Sequence, residues 1–166
     1  AGSDSGAVVH AAGMKFDNDQ TNNVDEANTL DDYEEGTQVV TLGAGTGTLS
    51  LVGGKNEGQY TKIGRMVHYS GEISCNGSSS PTSIITFTLP FTVSDITDLA
   101  ERTVGTCSIQ NSNFPDAWFM MHMNTYAGQS VMTITGVTDD GGWSNMQTDN
   151  WENGTEMVWS ISYICA

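Results

Sequence analysis

Apolar and polar residues alternate along most of the chain beyond residue 37. The run from residue 65 to 75 shows the alternation most clearly, because its apolar positions are Val67, Tyr69, Ile73 and Cys75, and the residues between them are mostly polar. A period of two is typical of a strand that has one face in the core and the other in water. The pattern therefore predicts β-structure for this part of the chain.

Turn-forming Gly, Asn, Ser and Asp separate further apolar stretches of strand length. The predicted strands are 38–42, 47–52, 65–75, 83–89, 103–109, 117–125, 130–136 and 155–164. Asn76-Gly77 accepts the positive φ angles of a tight turn, so we expect a hairpin there. Helical spacing is confined to one or two turns within residues 93–99. The sequence predicts an all-β fold, an antiparallel β-sandwich that is jelly-roll-like.

The first 36 residues follow a different pattern. They carry many Asp and Glu residues and few large apolar ones. Such a segment cannot build a core by itself. We therefore predict an extended N-terminal lead-in over residues 1–36, ordered against partner chains, and a head domain over residues 37–166.

Charge narrows the possible partners. The chain has 5 Lys and Arg against 20 Asp and Glu, a net charge of -15. Nucleic acid needs a basic surface to neutralise its phosphates, so it is excluded, and anionic lipid is disfavoured for the same reason. No run reaches the roughly 20 apolar residues of a membrane helix, so we expect no membrane insertion. Cys75, Cys107 and Cys165 are odd in number and widely spaced, and we expect buried, reduced thiols.

Two segments resemble motifs of the C-terminal receptor-binding domains of bacteriophage tail fibres. The first is Ala27-Asn28-Thr29-Leu30-Asp31-Asp32-Tyr33-Glu34-Glu35-Gly36-Thr37, and the second is Gly58-Gln59-Tyr60-Thr61-Lys62-Ile63-Gly64-Arg65. The step Leu89-Pro90-Phe91 and the ending Ile161-Ser162-Tyr163-Ile164 are similar to that family as well. The family's Trp and Pro after the first motif are replaced by Gln38, Val39 and Val40, and residues 105–155 match nothing in it.

The resemblance implies a homotrimer at the distal end of a virion tail fibre, folded in the cytoplasm of the bacterial host. It implies a head that contacts a host surface receptor, a glycan or an outer-membrane component, without a cofactor and without catalysis. It also implies structural roles for the motif residues Tyr33, Glu34, Glu35, Tyr60, Lys62 and Gly64. We expect Tyr33 to anchor a short turn or helical cap, and Lys62 and Arg65 to pair with the nearby carboxylates.

Catalytic and metal-binding patterns are weak. His10, His68 and His122 are the available imidazole bases, and none of them lies in a recognised motif. A glycosidase pair of carboxylates is not excluded by counting alone. The segment 17–22 is rich in oxygen ligands but lacks the Gly and terminal Glu of a calcium loop. In a trimer, copies of Asp25 or His10 could meet on the axis and hold an ion, and these are the only metal candidates.

The segment from residue 139 to 153 is the most informative candidate for receptor binding. It holds two tryptophans in a polar loop, where a large ring either packs beneath the loop or presents a face to a ligand. An aromatic face flanked by amides and carboxylates suits a sugar. The candidates are Trp143, Trp151, Asp140, Asn145 and Asp149, with Asn111 and Asn113 in a second loop and Tyr126 at a later turn.

The function predicted from these observations is that of a fibre-tip adhesin that binds a host receptor. A structural cap that holds three chains together, and a module that degrades polysaccharide, remain alternatives.

Overall fold

The computed structural model describes residues 14–15, 29–30, 32–96, 102–114 and 118–166 of the chain. These residues form twelve strands and one short 3₁₀ turn, Thr148–Asn150, without an α-helix. The strands are β1 Met14–Lys15, β2 Thr29–Leu30, β3 Tyr33–Val39, β4 Leu42–Gly43, β5 Thr46–Ile63, β6 Met66–Thr82, β7 Thr86–Thr88, β8 Val104–Gln110, β9 Trp118–Thr125, β10 Val131–Thr138, β11 Trp143–Asn145 and β12 Glu156–Ile164. Within those described ranges no helix is long and apolar enough to span a membrane.

Ten of the strands belong to one sheet. Its order is β3-β5-β6-β12-β8-β9-β10-β7-β4, with β11 paired to β10, and its strand pairs are antiparallel. The strands β1 and β2 form a separate two-stranded pair within the lead-in. The all-β and antiparallel parts of the prediction are confirmed.

The sheet is curled, because a connection of only two residues links the strands at its two edges. The edge strands β3 and β4 are separated only by Val40 and Thr41. Val40 donates its N–H to the carbonyl of Asn56 at 2.8 Å, and Thr41 accepts the N–H of Thr88 at 3.2 Å. These bonds tie the connection to both ends of the sheet. The ten strands form one curled sheet, and the two separate sheets of the predicted sandwich are not confirmed.

The core fills the space inside the curl. From β6 it receives Val67, Tyr69, Ile73 and Cys75, the residues that the alternation predicts to be buried. Met157, Trp159, Ile161 and Tyr163 of β12 are buried on one face as predicted, and Phe87, Met123, Met132 and Ile134 enter from the other half. Burying side chains of this size is the main favourable contribution to folding.

The hairpin predicted at Asn76-Gly77 is wrong. Both residues lie inside β6, where Gly77 pairs with Ser50 across a register irregularity of β5. The reversal occurs instead at Gly64 and Arg65, between β5 and β6, and Gly64 has φ +57°. Glycine adopts this left-handed conformation without the steric cost that other residues carry.

The two motifs that carry the family resemblance are neighbours in the sheet. β3 pairs with the end of β5, so that Glu34 lies opposite Lys62 and Gly36 lies opposite Tyr60. A Cβ at Gly36 would approach the hydroxyl of Tyr60 to 2.6 Å, which explains the glycine in this motif. The sheet therefore begins at residue 33, and the boundary predicted between residues 36 and 37 falls inside β3.

The three cysteine sulfurs form no disulfide. Cys75 and Cys165 are buried, in agreement with the prediction, whereas Cys107 is partly exposed. Burial raises the pKa of the Cys107 thiol to about 11.

Candidate functional site

A groove lies on the outer surface of the strands β8 to β11, on the side away from the core. The register places Asn124 beside Val104, His122 beside Thr135, and Val137 beside Trp143. Because paired residues share a face of a sheet, these side chains project together. They line the groove with Arg102, Gly141 and Gly142, and its volume is about 350 Å³.

Hydrogen-bonded polar side chains form the floor of the groove. Asn124 donates from Nδ2 to the hydroxyl of Thr135 at 2.5 Å, and that hydroxyl donates to Oδ1 of Asn145 at 2.9 Å. Asn124 and Thr135 are buried. A connected chain of this kind fixes the orientation of each group. The amide and hydroxyl groups of the floor are therefore held in fixed orientations.

Trp143 supplies an aromatic face at the rim. Its side chain is 61% exposed, which is unusual for so large an apolar ring. Val104 and Val137 add apolar surface on the other sides. A polar floor with aromatic and aliphatic walls is the usual composition of a small-molecule site, and the volume lies at the lower end of the range of about 300–1,000 Å³.

A tight hairpin positions Trp143. Asp140 accepts the hydroxyl of Thr138 and the N–H of Gly142, the latter at 3.1 Å, and Gly141 has φ +82°. These hydrogen bonds hold the pKa of Asp140 below its usual value, with the Thr138 hydroxyl as the largest cause. Asp140 therefore stabilises the turn before Trp143, and its carboxylate is occupied by these two hydrogen bonds.

Arg102 and His122 provide the charge and the titratable group of the groove. The guanidinium Cζ of Arg102 lies 4.8 Å from the ring centre of Tyr126. Desolvation lowers the pKa of His122, and the positive charge of Arg102 lowers it further. The imidazole is therefore neutral at pH 7.

Trp151 does not belong to this surface, and its assignment to receptor binding is corrected. It is 1% exposed, its ring lies 5.6 Å from that of Phe87, and its Nε1–H points to Sδ of Met146 at 3.2 Å. Of the two alternatives for the tryptophans of this loop, packing beneath the loop or contact with a ligand, Trp151 shows the packing.

The remaining loop candidates lie away from the groove. Asn111 donates to the carbonyl of Gly154 at 3.2 Å, and Asn113 exchanges hydrogen bonds with Asn150 at 2.9 and 3.0 Å. Asp149 is exposed on the 3₁₀ turn. None of these residues lines the groove. Of the predicted set, Trp143 lines it and Asn145 accepts the hydrogen bond of Thr135 in its floor, while Asp140 supports the turn before Trp143 and Tyr126 contacts Arg102.

The motif residues form a second cluster, at the beginning of the sheet. The hydroxyl of Tyr60 donates to Glu34 at 2.7 Å, and its ring meets Phe91 edge-on at 5.1 Å. Tyr163 in turn accepts the N–H of Phe91 and donates to its carbonyl, at 3.1 and 3.0 Å. Lys62 bonds Asp32 as predicted. These contacts join β3, β5 and β12.

Two expectations for the motif residues are wrong. Tyr33 stands at the start of a strand, not in a turn or cap, and it is exposed while its hydroxyl bonds Glu35. Arg65 pairs with no carboxylate in the described part of the chain. Its guanidinium donates to the carbonyl of Cys165 at 3.1 Å and to the hydroxyl of Ser94 at 2.6 Å.

Sequence reasoning did not assign Asn124, Thr135 or Arg102 to a site, and it considered His122 only as a possible base. For Asn124, Thr135 and His122 the sequence signal is that they occupy the polar positions of strands whose alternate positions are apolar, namely Met121, Met123, Met132 and Ile134. Arg102 precedes β8 and has no such signal. The partner strand that completes the groove could not be found without the register.

Metal ligands do not cluster among the described residues, where no group of three His, Cys, Asp or Glu side chains converges. The candidates His10 and Asp25, and the segment 17–22, lie outside the described residues.

Comparison with known proteins gives a fold but not a family. Neither a family model nor a curated protein matches the sequence. The fold resembles the crystal structure of the Dettilon tailspike protein, with a TM-score of 0.66 and 11% identity over 80% of this chain. The chain spans 24% of that tailspike. The likeness shows a shared all-β fold.

Proposed function

We propose that this protein is a receptor-binding component of a bacteriophage tail and that it binds a host surface saccharide in the groove beside Trp143. The observation that carries the proposal is the exposed ring of Trp143 above a floor of hydrogen-bonded amides and hydroxyls. A sugar has the same two-sided character, with C–H groups on one face of its ring and hydroxyls around the edge. The tailspike-like fold and the tail-fibre motifs support the same assignment.

The proposed action is retention without bond cleavage. Among the described residues that line the groove, His122 is the imidazole and none is a carboxylate. Glycoside hydrolysis generally needs two carboxyl groups about 5–10 Å apart across the scissile bond. The described lining therefore offers hydrogen bonding and stacking to a ligand, and it contains no acid–base pair of carboxylates.

Binding of labelled protein to a panel of bacteria tests this function. We expect Trp143→Ala to lower cell binding about tenfold or more, because the loss of a central aromatic contact costs about 2 kcal/mol. Val158→Ala is the control, since Val158 is an exposed apolar residue of β12 outside the groove lining. Equal binding by the parent and Trp143→Ala would contradict the proposal. New reducing ends on bound polysaccharide would show degradation instead of retention.

Subunit contact is a second candidate function for part of this surface. Phe119 and Met120 are more than half exposed on β9, outside the groove lining. Exposed apolar side chains of this kind are found where another protein surface packs. A homotrimer would cover them, and sedimentation of the Phe119→Ala variant would then show weaker assembly with unchanged saccharide binding.

A further inference from the structure

The cations of this chain are few, and most of those described are already paired. Lys62 bonds Asp32, and Lys55 lies 3.5 Å from Glu72 and 3.4 Å from Glu156. Arg65 is held by Cys165 and Ser94. Arg102 differs, because its guanidinium has no carboxylate or carbonyl partner among the described residues.

Arg102 is oriented by a ring and not by an anion. Its Cζ lies 4.8 Å from the ring centre of Tyr126, within the range of a cation–π contact. The N–H donors lie in the plane of the group, and a planar fork of donors matches the two oxygens of a carboxylate. The ring contact therefore restricts the side chain, and no described residue accepts a hydrogen bond from its guanidinium.

The described residues that line the groove beside Arg102 carry no negative charge. The lining consists of Arg102, Val104, His122, Asn124, Thr135, Val137, Gly141, Gly142 and Trp143. In a chain with 20 Asp and Glu residues, a lining that holds an arginine but no carboxylate differs from the surface around it. Among the described lining residues, an anionic group that enters meets the cation of Arg102 and no carboxylate.

We propose that the groove recognises a sugar that carries a carboxylate, such as a uronic acid of a bacterial surface polysaccharide, and that Arg102 binds this carboxylate. The sugar ring lies against Trp143, and its hydroxyls meet Asn124, Thr135 and His122. This assignment rests on the proposed function and names the class of saccharide that the same groove takes. Arg102 determines specificity, whereas Trp143 contributes to the binding of any sugar.

Purified surface polysaccharide from a bacterium that the protein binds gives the decisive comparison. The native polymer is compared with the same polymer after chemical reduction of its carboxyl groups to alcohols, which preserves the sugar rings. We expect reduction to lower the affinity about tenfold or more, the usual consequence of losing a hydrogen bond to a charged group. Oligogalacturonate and its methyl ester serve as a defined second pair, and the acid should bind more tightly than the ester.

Variants assign the effect to the residue. Arg102→Gln should lower affinity for the native polymer to that of the reduced one, and Arg102→Lys should restore only part of it because a single ammonium replaces a fork. Lys55→Gln is the matched control, since it removes a cation outside the groove. Thermal unfolding of each variant identifies any loss that comes from misfolding.

The outcomes separate this inference from the function on which it rests. If Trp143→Ala weakens binding but Arg102→Gln and carboxyl reduction do not, the groove binds a neutral sugar and the assignment of Arg102 is wrong. If Trp143→Ala binds cells as well as the parent, the groove is not the receptor site, and both proposals fail. The inference is supported if Arg102→Gln lowers the affinity for the native polymer and leaves the affinity for the reduced polymer unchanged.

Discussion

Two tryptophans eight positions apart occupy opposite environments, and the difference is decided by their neighbours. Trp143 pairs with Val137 in a hairpin on the outside of the sheet, and Trp151 follows a 3₁₀ turn that directs its ring inward against Phe87. The sequence shows that both rings lie in a polar segment, which predicts unusual burial or a binding face. It does not show which ring is buried and which is exposed, because that depends on the face of the sheet on which each residue lies.

Substitution of the two residues separates stability from binding. Trp151→Ala should lower the free energy of unfolding by about 3–5 kcal/mol, because it empties a large volume in the core. Trp143→Ala should change it by less than about 1 kcal/mol, since the ring is largely in water. Urea unfolding followed by fluorescence measures both values. Similar losses in the two variants would mean that Trp143 is also a packing residue.

Cys107 gives a pH-dependent prediction at the same scale. Burial raises the pKa of its thiol to about 11 from the ordinary value of 9.0, so the folded form stays neutral where the unfolded thiol ionises. Its contribution to stability is present below pH 9 and is lost as the pH rises from 9 towards 11. At pH 9 we expect slow alkylation of Cys107 in the native protein and fast alkylation in urea. Peptide mass mapping identifies the modified cysteine, and equal rates in the two states would contradict the prediction.

The redox state of the cysteines gives a separate test. The three sulfurs are unpaired in the structure, and two of them are buried. Reductant should therefore leave the melting temperature unchanged, because there is no internal bridge to break. A bridge detected by mass spectrometry in the purified protein, with a melting temperature that falls on reduction, would show the opposite.

At the scale of elements, the alternation of apolar and polar residues predicts where strands exist, and it is less informative about where they end. β12 and the first half of β6 match their predicted runs, since each alternates without interruption. The sequence pattern predicts shorter strands in place of the long β5–β6 pair, because Gly53, Gly54 and Asn76-Gly77 are typical of turns. In the structure the sheet absorbs them as register irregularities between Ser50 and Asn56. Turn chemistry alone does not distinguish a bulge from a hairpin.

The site was predictable to the same partial degree. Trp143 and Asn145 could be chosen because they belong to one polar, aromatic segment of the sequence. Asn124, Thr135 and Arg102 could not, because they come from strands whose pairing is set by contacts distant in the chain. A groove built across four strands has no local signature.

Close packing between β9 and β10 gives an element-scale prediction. Gly136 lies beneath the ring of Trp118, and a Cβ at this position would overlap ring atoms. Gly136→Ala should therefore lower the free energy of unfolding by about 1–3 kcal/mol, the usual cost of overpacking. Gly77→Ala is the matched control, because Gly77 is also in a strand and a Cβ there would meet nothing within 4 Å. Chemical denaturation of both variants provides the measurement, and equal effects would rule out the packing explanation.

The Trp118 ring also connects this packing to the groove. Its Nε1–H donates to the hydroxyl of Ser144, the residue between Trp143 and Asn145, at 3.1 Å. If Gly136→Ala displaces the ring, it disturbs the strand that carries the exposed tryptophan. We expect this variant to lose some saccharide binding as well as stability, whereas Gly77→Ala should lose neither.

At the scale of the whole molecule, the curl determines which surfaces are available for other molecules. The connection through Val40 and Thr41 brings the edges β3 and β4 together, and in the described part of the chain β3 pairs on one side only. An unpaired strand edge offers backbone groups to a neighbouring chain. The lead-in reaches the sheet at this same edge, since β3 begins at Tyr33.

We predict that the protein assembles as a trimer of about 53 kDa from three chains of 17.7 kDa each. The reason is that residues 1–36 are too polar to fold alone, and the exposed Phe119 and Met120 of β9 need a covering surface. Interfaces of obligate oligomers commonly bury more than about 2,000 Å². Sedimentation at micromolar concentration checks the state, and a monomer there would contradict the prediction.

Deletion of residues 1–31 separates the two sources of assembly. This truncation keeps Asp32, which accepts the N–H of Gly64 and bonds Lys62, and it leaves β3 whole. The head should therefore fold with an unchanged melting profile when it is diluted below the concentration of assembly. We expect the truncated protein to dissociate at higher concentration than the full chain, because the lead-in no longer contributes contacts.

If truncation leaves dissociation unchanged, the head carries the trimer, and Phe119→Ala should then weaken it. A truncated head that stays monomeric but binds saccharide with the affinity of a single site would show that the groove is complete within one chain, and that trimerisation acts through avidity.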